Sequence, residues 1–80
     1  MRQGQHCIVT RRFTGKKVYG PFYETFEAGT PIVFVRYRGN EEAISVFTTR
    51  PTIAPDPPDP ESLYEARREV FEAFTSATQK

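Results

Sequence analysis

Only one cysteine, Cys7, and one histidine, His6, occur among the 80 residues, and tryptophan is missing. A lone cysteine excludes an internal disulfide, the staple that secreted domains of this size commonly use, so a reducing cytoplasmic setting is expected. His6 and Cys7 are neighbours, and a strand points neighbours to opposite faces, so they are poorly placed to share a metal ion. No metal site is expected, and Cys7 reads as a small buried hydrophobe. There is no run of about 18 apolar residues and hence no helix to cross a membrane. The segment from Met1 to His6 lacks the apolar stretch of a secretory signal.

Catalytic signatures are equally sparse. Cys7 would need a base, and the one histidine is the neighbour that points away from it. Ser45, Ser62 and Ser76 sit in no nucleophile motif. Gly15, Gly20, Gly29 and Gly39 stand singly, so no glycine-rich loop is available to cradle a phosphate. Glu41 with Glu42, and Asp56 with Asp59, fall on a turn and a proline-rich stretch, where solvated charge is the simpler reading than a buried acid/base pair. The expectation is a protein that is not an enzyme, with no cofactor, no membrane partner and no small-molecule substrate.

Acidic residues are absent from the first twenty positions, whose five charges, Arg2, Arg11, Arg12, Lys16 and Lys17, are all basic. The last forty residues carry eight acids against four bases, and the formal net charge of +1 conceals this polarity. Such a distribution points to interactions with other macromolecules or between copies, in which the basic part of one chain meets the acidic part of the next.

What the chain does have is aromatic area: seven Phe and four Tyr in 80 residues. A chain this short buries only about 60% of the surface that it exposes when unfolded, so large apolar side chains make its core efficient. One folded domain over residues 1–80 is expected, with a sheet region at 6–49, a proline-rich strap at 50–60 and a helix at 60–76.

His6 to Phe13 is rich in β-branched and aromatic residues, Thr14-Gly15-Lys16 has turn character, and Lys17-Val18-Tyr19 resumes an extended run; together they predict an edge hairpin. Gly20 to Pro31 is bounded by Gly-Pro and Gly-Thr-Pro and predicts an ordered loop, with a single helical turn through Phe22 and Phe26 as the alternative. Ile32 to Arg38 and Glu41 to Thr49, joined by Gly39-Asn40, predict a second hairpin. Alternation puts Val33, Val35 and Tyr37 on one face of its first strand and Ile32, Phe34, Arg36 and Arg38 on the other, with Glu41 or Glu42 placed near Arg36 and Arg38. Five of the seven prolines lie between Arg50 and Pro60 and exclude helix or central strand there. Asp59 as cap, Pro60 at the first position and Glu61 in the first turn predict a helix start. Leu63, Ala66, Val70, Phe74 and Ala77 supply its apolar stripe. The expected fold is α+β: about four antiparallel strands, SH3-like or otherwise a partly open barrel, with the amphipathic helix packed on them.

Two functional readings follow. Phe22, Tyr23, Phe26, Phe34, Phe47, Tyr64, Phe71 and Phe74 are too many to be central in so small a domain, and surplus aromatics on a surface mark a protein partner or a homodimer seam. On this reading Phe22, Tyr23 and Phe26 are apolar anchors and Arg36, Tyr37 and Arg38 polar contacts, in a binding module that modulates or inhibits its partner as an accessory protein does. The alternative is a nucleic-acid-binding sheet face, with Arg11, Arg12, Lys16 and Lys17 meeting phosphates and Tyr19 stacking on bases.

Overall fold

The central strand of the molecule carries consecutive buried residues, Ser45, Val46, Phe47 and Thr48, which requires cover on both faces of a sheet. The computed structural model describes residues 3–38, 43–49 and 62–78. In chain order these form β1 (His6–Val9), β2 (Phe13–Lys17), β3 (Tyr23–Phe26), β4 (Pro31–Arg38), β5 (Ile44–Thr48), β6 (Leu63–Arg67), α1 (Arg68–Phe74) and β7 (Thr75–Ala77). All seven strands join one antiparallel sheet in the order β3-β2-β6-β5-β4-β1-β7.

The sheet is strongly curled. Five strand spacings of about 4.8 Å would put β2 and β7 roughly 24 Å apart if it were flat. Instead Phe13 on β2 lies 6.4 Å from the ring of Phe74, the residue just before β7. The N–H groups of Thr10 and Arg11 both reach Phe74 O, at 2.9 and 3.4 Å. Inside the curl, Cys7, Val9, Phe13, Phe26, Ile32, Phe34, Phe47, Tyr64 and Phe71 form the main core. Its rings meet mostly tilted or edge to face, as in Phe26 with Tyr64 at 5.0 Å and Phe47 with Phe71 at 5.1 Å. Val35, Val46 and Leu63, with Val18 against them, form a smaller cluster, and Val46 belongs to it while its neighbour Phe47 belongs to the main core, so the second cluster lies on the outer face.

Three expectations are corrected. Among the described residues the fold is sheet-dominated, with seven strands and one short helix, where α+β with four strands and a packed amphipathic helix was expected. The stripe Leu63, Ala66, Val70 looked helical, yet Leu63–Arg67 is a strand paired to β5 on one side and to β2 on the other. Ladders on both edges, with Leu63 and Tyr64 buried at 6% and 7%, outweigh a propensity difference of a few tenths of a kcal/mol per residue. Among the described residues helix forms only over Arg68–Phe74, where Phe71 is buried and joins the main core. Thr75 Oγ1 then donates to Phe71 O at 2.6 Å, and the chain turns extended into β7 in place of continuing to residue 76.

The second correction is the first hairpin. β1 and β2 do not pair, and β2 runs through the expected turn at Thr14-Gly15-Lys16. Gly15 is there for closeness and not for turning. A Cβ on it would stand 3.0 Å from Phe26 Cε2 and 3.0 Å from Phe47 Cζ. The reversal comes later, at Gly20 with φ +111°, and β2 pairs with β3 where a loop or helical turn was expected.

The third correction lies in β4. The expected pairing with β5 is present, from Val33↔Thr48 to Arg38↔Ile44, but it shifts by a bulge between Phe34 and Arg36. Beyond a bulge the inward and outward positions exchange. Tyr37 thereby joins Phe34, ring centroids 4.8 Å apart, and not Val33 and Val35. The turn at Gly39-Asn40, Glu41 and Glu42, the strap and the expected helix start at Asp59 to Glu61 lie outside the described residues. No helix among the described residues is long and apolar enough to cross a membrane.

Candidate functional site

Eight of the eleven aromatic side chains are buried or half-buried in the curl, and the three that are not lie close along the chain. Tyr19, Phe22 and Tyr23 are 63%, 65% and 69% exposed, and all belong to the β2–β3 hairpin. Its geometry is set by two groups. Gly20 takes a positive φ that other residues rarely adopt, and the Phe22 ring lies over it, 3.5 Å from where a Cβ would be. Lys16 Nζ curls back to donate to the carbonyls of Lys17 and Gly20, both at 3.1 Å. Lys17 N–H donates to Phe22 O at 2.8 Å and closes the loop.

From the hairpin a polar row runs across the outer face. Register places Tyr23 beside Lys16, Lys16 beside Glu65, Glu65 beside Val46 and Val46 beside Arg36. Glu65 Oε1 is 4.0 Å from Lys16 Nζ, and Glu65 Oε2 is 3.0 Å from Arg38 Nη1. Buried Oε2 has no hydrogen-bond partner among the described residues, so the ion pair with Arg38 is what compensates its charge. A shallow groove of about 360 Å³ follows this row, with Thr14, Lys16, Tyr23, Ile44, Glu65 and Arg67 in its walls.

The expected anchor residues divide. Phe22 and Tyr23 are both exposed, on opposite faces of the hairpin, whereas Phe26 is 3% exposed and packs on Phe13, Phe47 and Tyr64; it is core and cannot reach a partner. Arg38 leans over β5 to Glu65 on β6. Arg36 is exposed and makes no ion pair among the described residues. Tyr37 turns to the inner side, where Arg68 stacks 4.7 Å from its ring and Glu72 accepts its hydroxyl at 3.4 Å.

The basic set of the nucleic-acid reading is split. Arg11 and Arg12 precede β2 while Lys16, Lys17 and Tyr19 lie at or beyond its other end, about 13 Å or more along a strand. Arg11 covers the Phe74 ring at 5.1 Å. Lys16 is spent on two carbonyls and Glu65. His6 is exposed and Cys7 2% exposed, on opposite sides of β1. Burial pushes the Cys7 thiol above its ordinary pKa, against a backbone hydrogen bond with Phe34 that pulls it down.

Glu65 and Arg67 were not singled out by sequence reasoning as part of any site. Both sit in the stretch that reads as helix, and only the ladders to β2 and β5 bring them to Lys16 and Ile44. Comparison with protein families, curated proteins and solved structures gives no match.

Proposed function

We propose that this protein is a small, non-enzymatic binding module that docks on a protein partner through the β2–β3 hairpin and modulates or inhibits that partner. The observation that carries this reading is the segregation of its aromatics: a full core inside the curl, and Tyr19, Phe22 and Tyr23 left exposed on a single hairpin. Exposing three large rings on one hairpin is costly in water, and exposed aromatic side chains are where binding energy concentrates. The groove beside Tyr23, with its row of Lys16, Glu65 and Arg38, supplies the polar surround that fixes orientation. The cations that a single-stranded nucleic acid would need are dispersed or committed to internal contacts, which favours protein over nucleic acid.

The test is the double variant Phe22→Ser/Tyr23→Ser. Both side chains are exposed, so near-ultraviolet circular dichroism and the unfolding midpoint should stay close to wild type. A partner retained by the wild-type protein in a pull-down should be lost. Equal retention by the variant would overturn the reading. Retention of nucleic acid that falls steeply with added salt would turn it toward the alternative.

A further inference from the structure

Among the described residues β3 is paired along one edge and open along the other. Bonded and non-bonded pairs alternate along an antiparallel ladder, and Lys17 N–H donates to Phe22 O. The register Gly15↔Glu24 and Phe13↔Phe26 therefore turns the backbone groups of Phe22, Glu24 and Phe26 toward β2. Tyr23 and Thr25 point theirs away, and among the described residues no strand lies on that side. Neither proline, lysine nor a bulge blocks Tyr23–Phe26, although such devices are usual on exposed edges. The opposite edge strand, β7, has only three residues.

We propose that the open edge of β3 pairs antiparallel with β3 of a second copy, about a two-fold axis at Tyr23. Three central registers bring outward positions opposite one another, and with the axis at Tyr23 Thr25 faces Pro21 of the second copy, which offers its carbonyl but no N–H. An axis at Glu24 sets two carboxylates directly opposite each other, which is unfavourable. An axis at Thr25 faces each Tyr23 with Glu27 of the second copy and leaves Phe22 opposite Ala28, beyond the strand. An axis at Tyr23 stacks the two tyrosines on the outer face. On the other face it sets Glu24 of the second copy opposite Phe22, which lies beside Lys17 on its own β2.

The charges complete the match. Lys17 and Glu24 make no ion pair among the described residues, and in this register Lys17 stands two strand spacings, about 10 Å, from Glu24 of the second copy. Two long side chains span that distance over the Phe22 ring. Symmetry supplies the pair twice. The dimer covers Phe22 and Tyr23, so a different protein that docks on the hairpin must displace the second copy. This inference rests on the hairpin being a protein interface and names self-association as what governs access to it.

Sedimentation velocity on the full chain over a range of concentrations tests it. Wild type should pass from monomer to dimer as concentration rises. Glu24→Lys and Lys17→Glu should each weaken the dimer by about tenfold, because each places like charges together twice. Mixing the two variants in equal amounts should restore dimerisation to near the wild-type level, since every lysine then faces a glutamate across the axis. Unfolding curves of the single variants matching wild type exclude a folding defect. A wild-type protein that stays monomeric, or a mixture no tighter than its components, overturns the proposal. Loss of a captured partner in Phe22→Ser/Tyr23→Ser beside a strictly monomeric wild type would sink this dimer while leaving the docking reading in place.

Discussion

Arg38 on β4 and Glu65 on β6 meet across the intervening strand β5, Nη1 to Oε2 at 3.0 Å. The Glu65 side chain is only 12% exposed, against 47% for Arg38, so the carboxylate gives up more water than the guanidinium does. Removing the cation leaves Glu65 with Lys16 alone, at 4.0 Å. Arg38→Gln is expected to destabilise the fold by about 1–2 kcal/mol, the cost of a half-compensated carboxylate near the surface. Adding Glu65→Gln should recover part of that loss. Chemical denaturation of the four proteins of this cycle measures it, and additive effects would show that the two groups do not interact.

Gly15→Ala should cost about 1–3 kcal/mol although it exchanges a glycine in a strand for a residue with less backbone freedom. The added Cβ would meet Phe26 and Phe47 rings at 3.0 Å and Glu65 O at 3.5 Å, and overpacking of this kind forces rings off their rotamers. A denaturation midpoint equal to or above wild type would show that the two rings yield freely.

Phe71→Ala and Tyr37→Phe separate core from surface on the same helix-covered end. Phe71 is fully buried and touches Phe13, Phe34 and Phe47; its truncation is expected to cost about 3–5 kcal/mol, enough to unfold much of the population of a domain this small. Tyr37→Phe removes only a hydroxyl donating to Glu72 at 3.4 Å in an exposed setting, and should change stability by no more than about 0.5 kcal/mol. Calorimetric unfolding distinguishes the two.

The Cys7 thiol gives a pH dependence of definite sign. Its pKa is raised in the folded state above the ordinary 9.0, chiefly by burial. The unfolded chain therefore loses this proton first as pH rises. Below 9.0 the thiol is protonated in both states and its contribution is fully present; above 9.0 stability should fall, and Cys7→Ala should remove that part of the slope. At neutral pH an alkylating reagent should modify the native protein only as fast as it opens, because the residue is 2% exposed. Rapid labelling of native protein would contradict this.

The parts legible in the sequence were those set by neighbours along the chain. Ile32 to Arg38 and Ile44 to Thr48 read as paired strands because their alternation is local, and the buried character of Cys7 followed from its type. Gly15 read as a turn because nothing local reveals that Phe26 and Phe47 will press against it. Leu63 to Arg67 read as helix because its 3.6-residue spacing is real, while the ladders that make it a strand come from β2 and β5. The bulge that turns Tyr37 to the inner side, half-buried against the core, is likewise invisible in a period-two count. At the candidate site Phe22 and Tyr23 could be named, but Phe26, three residues on, could not be told apart from them until its pairing with Phe13 placed it inside.

Lys16 lies on a strand paired on both sides, where a lysine side chain would ordinarily reach out into water. With its ammonium fastened to the carbonyls of Lys17 and Gly20, the loop that displays Tyr19 and Phe22 is moulded by its own chain before any visitor arrives. Less motional freedom is then surrendered on contact, and the side chain that sets the strength of an association can be one that never touches the other molecule.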